Sequence, residues 1–196
     1  TDAVPGKLTI RKMADNVHRL VRALKLERPD IAGWSMGGMI AQSYAVRHRR
    51  DLRRLVLLAT APGDGRATPP KPEALDVLIT TGEAATALDL IFPPKAKGAR
   101  DGFLTRLARR EGGVFSPPKA VRDAQVAASA EWLGGQDADG RRVQRLQMPV
   151  LVGGGELDPL LPVANQRHLA RIIRRSTRIL YADASHAFFV QRSRDF

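Results

Sequence analysis

The chain has 196 residues, a formal net charge of +12 and no cysteine. Without cysteine it can form no disulfide, thiolate metal site or cysteine nucleophile, and no stretch approaches the ~20 apolar residues of a membrane span. The length suits one domain with an insertion, and the positive charge is spread thinly, without the interleaved aromatic residues that would indicate a nucleic-acid partner.

The first predicted element is a helix. Thr9 is a suitable N-cap, and apolar residues follow it at helical spacing. They are Met13, Val17, Leu20, Val21 and Leu24. Pro29 and Asp30 then separate this helix from a short apolar strand that begins at Ile31.

The most informative motif comes directly after that strand. Gly33-Trp34-Ser35-Met36-Gly37, extended by Gly38, precedes a helical pattern that runs to about His48. A G-x-S-x-G turn between a strand and a helix is typical of the nucleophile elbow of serine hydrolases, whose sharp turn exposes the hydroxyl group. At Gly33 and Gly37 we expect a Cβ atom to collide, because the strand and the helix pass each other closely there. The motif predicts Ser35 as a nucleophile.

The next predicted elements are a buried strand, Leu55–Leu58, and an exit loop that contains Asp64. From residue 66 to 147 the strand pattern gives way to proline-rich and short amphipathic segments, with a helix start at Ser116. This change predicts a helical cap over one edge of the sheet. The expected organisation is a core of residues 1–65 and 148–196 with a cap insertion at 66–147.

Two further strands lead to the remaining candidate groups. Val150-Leu151-Val152 ends in a glycine-rich loop that presents Asp158, and a second apolar run at 177–181 leads to His186. The chain order serine, aspartate, histidine is the order expected of a hydrolase built on this kind of elbow. All three groups follow strands of one predicted parallel sheet, and such sheets bind ligands at the carboxyl ends of their strands.

Two assignments stay open at this point. Asp64 is a rival acid because it also follows a predicted strand, although the loop around Asp158 suits the role better. Trp34 stands beside the nucleophile, where it could line a substrate pocket or pack against the neighbouring strand.

These motifs resemble the α/β-hydrolase superfamily, in the branch with a G-x-S-M-G-G elbow that includes carboxylesterases, enol-lactonases and cofactor-free perhydrolases. The resemblance implies an α/β fold: the C-terminal part of the hydrolase fold, with a parallel sheet flanked by helices and an inserted helical cap. It also implies that the family's first strands and His-Gly loop would precede Thr1. The chain is then expected to be a fragment that holds the last four of eight strands.

The resemblance implies hydrolysis of a carboxylic ester or related small acyl substrate without a metal or cofactor. His186 accepts the Ser35 proton, Asp158 orients the imidazole, and the Met36 backbone N–H is one oxyanion donor. Perhydrolase, haloperoxidase-like or C–C bond hydrolase chemistry is an alternative, and so is a non-catalytic ligand-binding relative. We expect a cytoplasmic protein whose partner is a small acyl substrate, with no nucleic acid and no membrane; homo-oligomerisation is left open.

Overall fold

The computed structural model describes residues 7–77, 84–109 and 118–196, with the backbone alone for residues 84–87. The strands are β1 (Ile31–Trp34), β2 (Leu55–Leu58), β3 (Val150–Gly155) and β4 (Ser176–Tyr181). The α-helices are α1 (Ile10–Ala23), α2 (Met36–Arg47), α3 (Pro72–Asp76), α4 (Ala84–Ile91), α5 (Lys97–Ala108), α6 (Lys119–Leu133), α7 (Ala164–Ile172) and α8 (Phe188–Gln191). Short 3₁₀ helices lie at Pro94–Ala96 and Gly140–Arg145.

The four strands form one parallel sheet in the order β1-β2-β3-β4. The last residue of β1, Trp34, pairs with Leu58, and Leu58 pairs with Gly153. Since the strands run in one direction, the segments that follow them meet at a single edge of the sheet. The predicted fold class, a parallel α/β sheet flanked by helices, is confirmed.

Strand β3 continues three residues beyond the apolar run from which it was predicted. Its final residue, Gly155, pairs with Tyr181 of β4. A Cβ atom on Gly155 would lie 2.2 Å from the carbonyl oxygen of Ala184. The glycine run therefore lets the loop after β4 approach β3 closely, and an apolar pattern alone could not show this.

Helix α1 begins as the sequence predicts. The hydroxyl oxygen of Thr9 accepts a hydrogen bond from the N–H of Lys12 at 3.1 Å, which satisfies one of the free donors of the first turn. The helix packs on α2 and buries Val21, whereas Leu20 and Leu24 are each 58% exposed. Two leucines of the predicted apolar pattern thus lie outside the packed face.

The described residues between 66 and 147 form helices and no strand. The buried side chain of Trp132, near the end of α6, joins the main hydrophobic core and donates its indole N–H to the carbonyl of Ala61 at 3.1 Å. The predicted cap is therefore joined to the core at this end, and its boundaries stay a prediction. The helix start predicted at Ser116 lies outside the described residues.

No helix in the described parts of the chain is both long and apolar enough to cross a membrane.

Candidate active site

Ser35 lies at the sharp turn between β1 and α2. Its backbone has φ 57° and ψ −126°, a conformation that residues with a side chain rarely adopt. The N–H of Ser35 donates to the carbonyl of Leu58 at 3.0 Å, and the hydroxyl of Thr60 donates to the carbonyl of Ser35 at 2.8 Å. The neighbouring strand β2 and its exit loop thus hold the serine in a strained turn.

The turn also depends on two close approaches. A Cβ atom on Gly33 would lie 2.2 Å from the carbonyl oxygen of Gly37, and one on Gly38 would lie 2.5 Å from the Cβ of Thr60. The prediction for Gly33 is therefore confirmed. The prediction for Gly37 is wrong, because a Cβ atom there would meet no atom within 4 Å. Gly33 needs space because it passes the backbone of Gly37, and the second crowded position is Gly38.

Met36 is the first residue of α2. The N–H groups of the first helical turn have no acceptor within the helix, and the helix dipole places partial positive charge at this end. Ser35 and Met36 both line the same cavity. The backbone of Met36 can therefore present a donor to an oxygen atom that lies beside the serine hydroxyl.

Asp158 and His186 form a buried pair at the same edge of the sheet. The imidazole Nδ1 of His186 lies 2.7 Å from the Oδ2 of Asp158. The His186 side chain is 3% exposed and the Asp158 side chain 1% exposed. The Asp158 Oδ1 accepts from the backbone N–H groups of Leu160 and Leu161, each at 2.9 Å. Because the carboxylate accepts from Nδ1–H, the imidazole Nε2 is left free to accept a proton.

The loop that carries His186 is fastened to helix α4. The hydroxyl of Ser185 donates to the carbonyl of Leu90 at 2.9 Å, and the N–H of Ala187 donates to the carbonyl of Ile91 at 3.1 Å. Residues on both sides of the histidine are therefore held by the segment predicted as a cap. The position of the imidazole depends on this contact as well as on Asp158.

Trp34 contacts the histidine directly. Its indole N–H donates to the carbonyl of His186 at 3.0 Å, the centroids of the two rings are 5.2 Å apart, and the indole also lines the cavity. This hydrogen bond has no signal in the sequence, because its partners are 152 residues apart.

Asp64, the rival acid, is engaged by a different histidine. Its Oδ2 lies 2.7 Å from the Nε2 of His168, whose Nδ1 accepts from the guanidinium of Arg171 at 2.7 Å. His168 belongs to α7. The structure therefore brings Asp158 to His186, while Asp64 takes part in a separate pair.

Ser35 and His186 open onto a cavity of about 530 Å³, within the usual range of small-molecule sites. Most of its lining is apolar and comes from β1, α2, α3, α4, α6 and the loop after β3. Among the described residues, the remaining polar side chains of the lining belong to one helix, α6. They are Arg122, Gln125 and Ser129.

Among the described residues, His18, His48 and Asp51 bring three potential metal ligands together. The two imidazole rings are stacked, with centroids 3.8 Å apart and planes 5° from parallel. An imidazole nitrogen binds a metal in its own ring plane, so two stacked parallel rings cannot both bind one ion in this arrangement. The cluster lies at the far end of α2 from Ser35, about 18 Å along a helix of 12 residues.

The chain is similar to known proteins over nearly its whole length. Residues 9–193 match the Hydrolase_4 family, described as serine aminopeptidase, S33. A pimeloyl-[acyl-carrier protein] methyl ester esterase of Chromobacterium violaceum is 30% identical over 200 residues, which cover 93% of this chain and 72% of the relative. The esterase of the same name from Pseudoalteromonas atlantica is 26% identical over 188 residues, which cover 92% and 71%.

Two solved structures show similarity in both sequence and fold. Est816, described as an N-acyl homoserine lactone degrading enzyme, is 27% identical with a TM-score of 0.77, covering all of this chain and 74% of that structure. The enol-lactonase from Burkholderia xenovorans LB400 is 26% identical with a TM-score of 0.67, covering 99% and 72%.

Proposed function

The chain belongs to the Hydrolase_4 family of α/β-hydrolases (serine aminopeptidase, S33), and within that family we propose that it hydrolyses the methyl or other short-alkyl ester of a medium-length acyl group. Its relatives show the broader class, a carboxylic ester hydrolase. The observation that carries the proposal is the 2.7 Å hydrogen bond between His186 and the buried Asp158, with His186 and Ser35 lining one mostly apolar cavity.

The proposed mechanism assigns one role to each group. His186 takes the hydroxyl proton on Nε2 as the Oγ of Ser35 attacks the ester carbon, and it then returns that proton to the leaving alcohol. Asp158 keeps the imidazole in the required tautomer and stabilises the imidazolium that forms. Water then hydrolyses the acyl-serine by the same proton transfers in reverse, which frees the acid.

The Met36 backbone N–H is the proposed oxyanion donor on this chain. As the ester carbon becomes tetrahedral, its carbonyl oxygen acquires negative charge, which a fixed N–H at a helix N-terminus stabilises. Loss of one such donor in a serine protease lowers the rate by about 10²–10³. The strained turn at Ser35 supports this role because it holds the hydroxyl and the N–H in a fixed relation.

Two observations support this choice of substrate: the character of the cavity and the names of the relatives. An apolar cavity of about 530 Å³ suits the aliphatic part of an acyl chain, and the curated relatives are named as methyl ester esterases of a pimeloyl group. A lactone, which is a cyclic ester, is the second candidate. It is favoured by the similarity to Est816 and to the enol-lactonase.

The first test is covalent labelling. A fluorophosphonate probe is expected to modify the protein, with mass spectrometry locating the adduct on Ser35. Ser35→Ala should abolish labelling and lower ester hydrolysis by about 10⁴ or more. Ser129→Ala is the matched control, since this serine lines the same cavity but donates its hydroxyl to the carbonyl of Gln125; it should still be labelled. An active protein with an unmodified Ser35 would contradict the assignment.

A substrate panel separates the two candidates. Methyl esters of aliphatic acids, p-nitrophenyl esters, homoserine lactones and a peroxide-dependent halogenation assay are compared by kcat/KM. We expect a higher kcat/KM for the methyl esters than for the lactones. A preference for lactones would transfer the assignment to the second candidate, and halogenation without esterase activity would contradict both.

A further inference from the structure

Among the described residues, helix α6 presents a line of polar side chains to a cavity whose lining is otherwise apolar apart from Ser35 and His186. Arg122, Gln125 and Ser129 all line it, at spacings of three and four residues that place them on one face of the helix. The apolar lining residues Val126 and Ala130 lie on the same face. A polar line within an apolar wall provides fixed partners for a substrate group that an aliphatic cavity would otherwise reject.

Arg122 is a half-buried cation for which the described residues supply no partner. Its helical neighbours three and four positions away include no carboxylate; they are Pro118, Lys119, Gln125 and Val126. Lys119, by contrast, forms an ion pair with Asp123 at 2.7 Å. No hydrogen bond or ion pair engages the Arg122 guanidinium within the described part of the chain.

A bound substrate changes the surroundings of that guanidinium. In the free protein, water can solvate a half-buried arginine head. An acyl chain that fills the cavity removes part of this water, and a charge without a partner in an apolar site is unfavourable. A carboxylate would replace the lost water with charge-assisted, bidentate hydrogen bonds.

The position of Arg122 along α6 indicates which end of the substrate it contacts. The end of α6 is attached near the nucleophile, because Trp132 donates to the carbonyl of Ala61 and the adjacent Thr60 donates to the carbonyl of Ser35. Arg122 is ten residues earlier on the helix, about 15 Å along its axis. Arg122 thus lies toward the other end of the helix from this attachment, and we take it to contact the part of the substrate away from the scissile ester.

We propose that Arg122, assisted by the amide of Gln125, is an anion subsite that selects esters with a carboxylate at the end of the acyl chain remote from the scissile bond. The preferred substrates are then half-esters of medium-length dicarboxylic acids. This inference rests on the proposed function and specifies the substrate class of the same site.

The test compares two esters that differ only at the remote end. Monomethyl pimelate carries a carboxylate there, and methyl heptanoate carries a methyl group. The wild-type protein is expected to prefer the half-ester, and Arg122→Gln should lower kcat/KM for it by about tenfold or more, the usual effect of losing a charge-assisted hydrogen bond. The loss should appear mainly in KM, because a remote contact is made equally in the ground state and the transition state. Methyl heptanoate should change less than about twofold.

Two variants distinguish recognition from a structural role. Arg122→Lys keeps the charge and should retain part of the preference, though less than arginine because it cannot bind bidentately. Lys119→Gln removes a cation from the same helix, outside the cavity lining, and should leave the ratio of the two substrates unchanged. Equal losses for both esters in Arg122→Gln, or a wild-type protein without preference for the half-ester, would overturn the proposal.

A binding measurement keeps the subsite testable apart from catalysis. Calorimetric titration of Ser35→Ala with the pimelate dianion should give an affinity that Arg122→Gln lowers by about tenfold. If this holds while no ester is hydrolysed, the subsite stands and the proposed function fails. If esters are hydrolysed but pimelate binds both proteins equally, the function stands and the subsite is wrong.

Discussion

The indole N–H of Trp34 donates to the backbone carbonyl of His186 at 3.0 Å, and the planes of the two rings are tilted by 43°. Trp34 directly precedes Ser35 in the chain. One side chain therefore fastens the candidate base to the segment that carries the candidate nucleophile. We infer that Trp34 is a positioning residue as well as a wall of the cavity.

Trp34→Phe is expected to reduce kcat several-fold while KM for a neutral ester changes little. Phenylalanine keeps an aromatic wall but removes the N–H, and a neutral hydrogen bond contributes about 1 kcal/mol. Steady-state kinetics with methyl heptanoate measure both constants. A rise in KM with an unchanged kcat would indicate that the indole serves only as cavity lining.

Asp158→Asn is expected to lower kcat by about 10⁴ without unfolding the protein. The asparagine Oδ1 can still accept from the N–H groups of Leu160 and Leu161. Its amide then points N–H groups at the Nδ1 of His186, which forces the proton onto Nε2 and removes the base. Circular dichroism checks the fold of the variant.

Asp64→Asn is the matched control for that substitution. It changes a carboxylate that also pairs with a histidine at 2.7 Å, but the partner is His168. Turnover should fall by less than about threefold, although stability can decrease by about 1 kcal/mol. If Asp64→Asn abolished turnover and Asp158→Asn did not, the acid would have to be reassigned.

The candidate triad could be predicted from sequence because each of its residues follows a strand. Parallel strands bring their carboxyl ends to one edge, so Ser35, Asp158 and His186 could be placed together without coordinates. Sequence also offers Asp64 as a second aspartate after a strand. Which aspartate meets which histidine depends on the close approach of the loops after β3 and β4, and that is a property of the packed structure.

The contacts that support the site could not be predicted in the same way. The hydrogen bond from Trp34 to His186 and the contact of Ser185 with the carbonyl of Leu90 join segments with no shared pattern. Likewise, the G-x-S-x-G spacing suggests that Gly37 is crowded, whereas Gly38 is the position that lies against Thr60. A motif specifies the order of residue types, but steric contacts depend on the neighbouring strand.

Stability is expected to fall on acidification partly through His48. Burial lowers the pKa of this imidazole, as do its electrostatic interactions with His18 and Arg47, while Asp51 and Asp15 oppose them. Between the lowered folded value and the ordinary value of about 6.5, the unfolded chain binds more protons than the folded one, so stability rises with pH. The contribution is present above the unfolded pKa and is lost as the pH falls through the folded pKa.

Urea unfolding at neutral pH and at about pH 5 measures this effect. His48→Gln should show a smaller loss of stability between the two conditions than the wild-type protein, because glutamine has no proton to bind. Comparing the two proteins removes the contribution of the other titrating groups that they share. An identical pH dependence in both would show that His48 does not contribute.

Gly37→Ala and Gly38→Ala are expected to have opposite effects although they are adjacent in the elbow. A Cβ atom on Gly37 meets no atom within 4 Å, and alanine is favoured over glycine within a helix by up to about 1 kcal/mol. A Cβ atom on Gly38 would lie 2.5 Å from the Cβ of Thr60, the residue whose hydroxyl donates to the carbonyl of Ser35. Gly38→Ala must therefore displace Thr60 and release the strained serine turn, at a cost of about 1–3 kcal/mol for overpacking.

Thermal denaturation and fluorophosphonate labelling together test this pair. Gly37→Ala should unfold at the same or a higher temperature and be labelled at the wild-type rate. Gly38→Ala should unfold at a lower temperature, and at temperatures where it remains folded it should be labelled more slowly, because the Ser35 hydroxyl is no longer held beside the Met36 N–H. Equal behaviour of the two variants would show that the contact between Gly38 and Thr60 does not maintain the turn. The strain at Ser35 would then have to be balanced by the hydrogen bonds of its backbone, including the one from its N–H to the carbonyl of Leu58.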